Sequence, residues 1–125
     1  MYVIDQPRPT DTPIPGVRHA TWAAREEGLQ ALSVWRQAIA PGAATPPHSH
    51  ACDEVVLCLA GQGEVEVDGR VHAFAAGQTV VLPAGVPHQI FNRGSEPLEC
   101  TAVFSATPVP VALPDGSALE LPWRS

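Results

Sequence analysis

Val65 and Val67 alternate with Glu64, Glu66 and Asp68, a period of two that predicts a strand with one wet face. Asp68-Gly69 follows, a dipeptide suited to a two-residue hairpin turn, and RVHAF (70–74) supplies the returning strand. VVLCLA (55–60), TVVLP (79–83), HQIFN (88–92) and LECTAVF (98–104) are further short apolar runs, separated by PAGVP and RGSEP turn material. Upstream, 18–24 and 31–39 predict two more strands around a pause at Glu26, Glu27 and Gly28. A helix over 20–33 is the competing reading. Short strands at regular spacing predict an all-β sandwich or barrel.

The ends differ from this middle. Residues 1–17 carry Pro7, Pro9, Pro13, Pro15 and Gly16, which disfavour helix and remove ladder donors, so an extended arm is expected. VPVAL (109–113) and ALELPW (118–123) flank Pro114-Asp115-Gly116 and predict a last hairpin. The expected organisation is one domain over 1–125, with the arm at 1–17, a barrel at 18–105 and a C-terminal hairpin or arm at 106–125.

Composition narrows the classes. A chain of 125 residues buries about two-thirds of its unfolded surface, so size alone demands no staple. The net charge is -6 and the 7 basic residues are arginines scattered from Arg8 to Arg124, without the cluster that neutralises a row of phosphates, which speaks against nucleic acid. No apolar run approaches the ~18 residues that span a bilayer, and MYVIDQPRPT has neither the basic opening nor the apolar core of a secretory signal. No membrane association is expected, and the cytoplasm is the expected location. Cys52, Cys58 and Cys100 form an odd set without a CxxC pair, which fits free thiols in a reducing compartment.

The candidate chemistry lies in His48, His50, Glu54 and His88. His48 and His50 are two apart, so on a strand both imidazoles leave one face, and Glu54 has the same parity; a turn at Ala51-Cys52-Asp53 is the alternative. Three nitrogens and a carboxylate suit iron, manganese, nickel, zinc or copper better than calcium or magnesium. Taken singly, His19 and His72 read as ordinary structural or surface histidines.

The spacing around these residues resembles the cupin superfamily. Gly42, His48, His50, Glu54 and Gly61 stand where its first motif has fixed residues, and Gly77, Pro83, Gly85, His88 and Asn92 where its second has them. The fifteen residues between the motifs are similar to the short spacing of small single-domain bacterial cupins. The resemblance implies a double-stranded β-helix, a jelly-roll barrel with a divalent transition metal at its open end, held by His48, His50, Glu54 and His88. It also implies a homodimer, for which the Pro-rich arm and the VPVAL tail are the candidate interface elements.

Strand parity from the ligands puts Val56 and Cys58 beyond Glu54, and Ile90 and Asn92 beyond His88, on the pocket side. Trp35 or Gln37 is expected to close the mouth, with Phe104, Ala102 and Cys100 facing inward on a returning strand. Asp53 or Gln89 is expected to orient a ligand imidazole. The expected function is that of a metal-dependent enzyme acting on a small, partly apolar molecule, of dioxygenase, isomerase, lyase or decarboxylase type. Glu54 is the one candidate general base. A non-catalytic small-molecule or metal binding module is the alternative, and a structural protein without an ion a weaker third.

Overall fold

The computed structural model describes residues 2–125. Nine strands form in order: β1 (Thr10–Asp11), β2 (Val17–Ala23), β3 (Ser33–Ile39), β4 (Glu54–Ala60), β5 (Gln62–Val67), β6 (Arg70–Ala75), β7 (Thr79–Leu82), β8 (His88–Phe91) and β9 (Leu98–Phe104). They make a six-stranded sheet, β1-β2-β3-β9-β4-β7, and a three-stranded sheet, β6-β5-β8. Every pairing is antiparallel. The two inner faces enclose the core, which is the arrangement of a jelly-roll barrel.

Side-chain alternation explains why these segments are strands. In β9 the residues Leu98, Cys100, Ala102 and Phe104 are buried, with half-buried residues between them. Register then carries this face across the sheet. Glu54 pairs with Phe104 and Phe104 with Ser33; Val56 pairs with Ala102, Ala102 with Trp35 and Trp35 with Thr21. Cys58, Cys100, Gln37 and His19 form the next row. The β5–β6 hairpin turns at Asp68 (φ 51) and Gly69 (φ 75), two successive positive φ angles that match the right-handed twist of the strands.

The competing helix over 20–33 is replaced by strand and one turn of 3-10 helix at Arg25–Glu27, ended by Gly28 at φ 93. Pairing of Val17–Ala23 with β3, with Val17, His19, Ala20 and Thr21 buried, overrides the local helix formers. The N-terminal segment forms only the two-residue β1, and Trp22 Nε1 donates to the Pro7 carbonyl at 3.0 Å.

The C-terminal segment folds back over the barrel. Its turn is closed by Leu113 N to Ser117 O (2.8 Å) and Leu119 N to Val111 O (2.9 Å), and an Ala112–Ser49 bridge ties it to the segment between β3 and β4. Val109 and Val111 of the VPVAL run are buried against their own chain. Arg124 anchors the end, forking onto Glu27 with one contact at 2.9 Å while its carbonyl accepts the Thr21 hydroxyl at 2.6 Å. No helix among the described residues is long and apolar enough to cross a membrane.

Candidate metal centre

Two separate pieces of backbone deliver the three histidines. His88 opens β8 in the three-stranded sheet, and His48 reaches it through an isolated antiparallel bridge, His48 N to His88 O at 3.0 Å and His88 N to His48 O at 2.8 Å. His50 lies beyond the bridge, outside any strand. Its carbonyl accepts Gly85 N at 2.7 Å, which fastens the PAG turn to the site. Gly85 sits at φ 82, where a side chain would be strained. Glu54 begins β4 on the opposite sheet. Cys52 and Asp53 form the connection, in which Asp53 Oδ1 accepts Ala84 N at 2.9 Å.

All three imidazoles are oriented by main-chain carbonyls. Nδ1 of His48 donates to Pro46 O at 2.6 Å, Nδ1 of His50 to Pro110 O at 2.8 Å and Nδ1 of His88 to Val86 O at 3.0 Å. A carbonyl only accepts, so each Nδ1 carries the proton and each Nε2 keeps a lone pair. Asp53 and Gln89 serve elsewhere: Asp53 holds Ala84, and Gln89 donates to Thr45 O. For His48 and His88 the partner carbonyl lies two residues upstream, whereas for His50 it comes from the distant C-terminal segment.

The free nitrogens converge. One ligand atom from each of His48, His50 and His88 lies within 4.8 Å of the others, a group able to chelate a metal ion. Glu54 Oε1 lies 3.4 Å from Nε2 of both His50 and His88. His50 Nε2 and Glu54 Oε1 are buried and lack any hydrogen-bond partner among the described residues. Buried acceptors facing one another without a hydrogen between them are costly. A divalent cation at their focus removes that cost, so the donor set fits the ion that the sequence implies.

Proton affinity follows the same geometry. Burial, reinforced by the neighbouring His88, pulls His48 down to about 4. Burial also lowers His50, against the pull of Glu54. For His88 burial is the largest influence and acts downward, yet the Glu54 carboxylate and the Val86 carbonyl together raise it. Imidazoles that resist protonation are ready ligands.

The cavity in front of these ligands measures ≈50 Å³. Trp35, Gln37, Ile90 and Phe104 line it, together with Ile14, Val17, Thr45 and Pro46. Val56 and Cys58, although on the inner face of β4, sit deeper in the packed core, as do Cys100, Ala102 and Asn92. The reason is the width of Trp35 and Phe104, whose rings (centroids 4.2 Å apart) fill the barrel below the ligands and close off that face of β4. Sequence reasoning missed the roof. Val111, Leu119, Leu121 and Trp123 of the C-terminal segment cover the cavity, and Trp123 stacks on His19 at 4.0 Å. The alternation of Leu119, Leu121 and Trp123 was the available signal.

A jelly-roll barrel with an inward-facing cluster of metal-ligating imidazoles is the class that fold and site define. The Cupin domain profile matches residues 35–104, and the chain belongs to that family. Auxin-binding protein 1 of Arabidopsis thaliana is 32% identical over an alignment of 107 residues that covers 78% of this chain and 54% of that protein. The chain thus spans about half the length of this curated relative. Among solved structures, the oxalate decarboxylase of Lactobacillus farciminis in its formate complex superposes with a TM-score of 0.70 at 25% identity, covering 79% of this chain and 31% of that one. The polyketide cyclase RemF of Streptomyces resistomycificus gives 0.73 at 18% identity, with coverages of 87% and 83%, and shares the fold.

Proposed function

We propose that this cupin is a metal-dependent enzyme acting on a small, partly apolar molecule that presents an oxygen donor to an ion held by His48, His50, Glu54 and His88. The observation that carries the reading is the convergence of unpartnered acceptors on one point, with every Nδ1 already turned away. A divalent transition ion held there supplies Lewis-acid polarisation of a ligand oxygen. The chain's own residues do the rest. Ile14, Val17, Ile90 and Val111, with Leu119 and Leu121 of the C-terminal segment, a strap over the cavity, exclude water, and Trp35 and Phe104 give a flat apolar wall. No arginine borders the cavity, so the ion is the counter-charge available to an anionic group. Glu54 is the one carboxylate in the cavity wall and the candidate for moving a proton. Its place among the ligands makes it a weak base.

A non-catalytic binding module is the second reading. The sparse polar equipment of the cavity favours it, as does likeness to a protein named for auxin binding. Tag-free protein loaded in turn with iron, manganese, nickel, zinc and copper, assayed by metal mass spectrometry and against a panel of small carboxylic acids, separates the two. Near-stoichiometric metal with product formation supports the enzyme; tight binding without product supports the module; no metal under any loading regime sinks both.

We further propose a homodimer in the cytoplasm. The outward row Val81, Val55, Val103 and Val34 across β7, β4, β9 and β3 supports self-association, with Val81 67% exposed. The buried VPVAL run is a poor interface element, which leaves the arm, where Tyr2 and Val3 face solvent. A monomeric mass by solution scattering at micromolar concentration contradicts this. Nucleic acid is not proposed as a partner, since Arg18, Arg36, Arg93 and Arg124 already face carboxylates.

A further inference from the structure

Beyond Phe104 lies a cluster of four side chains whose polar atoms do not all pair: Trp35, Gln37 and Trp123, which line the cavity, and His19 packed behind them. His50 meets Phe104 edge-on at 5.0 Å, Phe104 meets Trp35 at 4.2 Å, and Trp35 meets His19 at 5.1 Å and Trp123 at 5.5 Å. Gln37, on the same inner face of β3 as Trp35, borders the cavity beside them.

Hydrogen bonding fixes the direction of the Gln37 amide. The Arg124 carbonyl, 2.6 Å from Thr21 Oγ1, can only accept, so it takes the single hydroxyl hydrogen of Thr21. His19 Nε2 lies 2.7 Å from that same oxygen and must therefore donate to it. Burial, with a smaller push from Arg124, holds His19 down to about 3, so the ring is neutral and its Nδ1 accepts. The group 3.0 Å from Nδ1 is then the Gln37 Nε2 amine. Gln37 Oε1 points away from His19, with no donor to it among the described hydrogen bonds.

Two other side chains that line the cavity carry donors without partners. The indole Nε1 groups of Trp35 and Trp123 are buried without an acceptor. An acceptor at Gln37 Oε1 and unpaired N–H donors on two other side chains of the same cavity wall suit a group that both donates and accepts, and a hydroxyl does so, giving its hydrogen to the amide and taking one from an indole. A carboxylate meets the amide oxygen lone pair to lone pair, and an ammonium leaves the indoles unpaired and carries an uncompensated charge.

We infer that His19, Trp35, Gln37 and Trp123 form a hydroxyl-binding subsite, so that the molecule taken by this cavity is a small acid bearing an alcohol or phenol group at the end away from the metal ligands. This rests on the reading that the ion binds the acid end. Gln37 and the indoles touch the ligand; His19 is a positioning residue that keeps the amide from turning over.

The test uses metal-loaded, tag-free protein and calorimetric titration with two matched pairs, butyrate against 4-hydroxybutyrate and phenylacetate against 4-hydroxyphenylacetate. In at least one pair the hydroxylated acid is expected to bind about tenfold tighter or more. Q37L and W35F each bring it toward the affinity of its parent, and H19F erodes the preference while metal stoichiometry stays constant. Equal affinities within both pairs, a preference that survives both Q37L and W35F, or no binding of any of the four acids overturns the subsite. Should a variant fold poorly, by circular dichroism and thermal melting, the wild-type pairs decide alone. The metal reading is tested separately: if the parent acids bind equally well after chelator treatment, that reading fails while the hydroxyl preference can still stand.

Discussion

Backbone carbonyls aim three lone pairs at one point, and a single carboxylate oxygen completes the ring of acceptors. Removing one member has unequal consequences. H50A is expected to lower metal occupancy to well under stoichiometric, because it takes a buried ligand and also the Pro110 link to the C-terminal segment. E54Q keeps the volume but loses the charge, and about a tenfold or larger loss of metal affinity is expected by competition with a chromogenic chelator. His19 makes a different prediction, about stability. Its folded value, about 3, lies below the ordinary histidine value, so its contribution is fully present above pH ~6.5 and is lost as pH falls toward 3. Relative to an H19F variant, wild type should lose roughly 2 kcal/mol of unfolding free energy between pH 7.5 and pH 5, read from urea titrations of metal-free protein. An equal pH dependence in both proteins contradicts a neutral, buried His19. At this scale the three histidines that the structure brings together were legible because the spacing around them is local and their chemistry particular. The carbonyl partners were not, since Pro46, Val86 and Pro110 become partners only after the chain has turned.

The C-terminal segment is the element on which access depends. Leu119, Leu121 and Trp123 face the ≈50 Å³ metal cavity on one side and border a ≈310 Å³ groove on the other. A ligand of more than a few atoms needs this thin partition to move, and its end is held by the fork between Arg124 and Glu27. E27Q is expected to speed removal of metal by an external chelator several-fold at unchanged equilibrium stoichiometry, since an exposed ion pair adds only ~0–1 kcal/mol. Stopped-flow chelation checks this, and an unchanged rate means that access runs elsewhere. Strands of the barrel were readable as elements because alternation and the Asp68-Gly69 turn are local signals. The strap reads as a plain hairpin in sequence, and its role appears only when Ala112 meets Ser49. Gly61 shows how tightly neighbouring elements approach: at φ 83, a Cβ would stand 2.4 Å from the Pro97 carbonyl oxygen. G61A should therefore destabilise more than G28A, by roughly 1 kcal/mol or more in urea titration, because Gly28 shares the positive φ but has open space around it.

For the whole molecule, the ligand cluster is a junction between the two sheets. Glu54 opens β4, one strand in from the edge of the six-stranded sheet, His88 opens an edge strand of the other, and His48 and His50 belong to the segment that joins β3 to β4. An ion at their focus clips the open end of the barrel, where no disulfide assists: all three cysteines are free. Binding to the folded state alone stabilises by about 4 kcal/mol when free metal is a thousandfold above its dissociation constant. Stripping the metal at pH 7.5 should lower the melting temperature by roughly 10 °C or more. Protons compete for the same lone pairs, and His88, whose affinity is raised by Glu54, takes one first as pH falls. The stabilisation conferred by metal should therefore shrink as pH drops through about 6 and vanish by about 4.5, while the metal-free protein loses stability only through the buried imidazoles of His19, His48 and His50, which resist protonation. Melting curves with and without chelator across that range measure the difference directly. If the two remain separated by the same interval from pH 8 to about 4.5, neutral imidazoles are not what holds the ion.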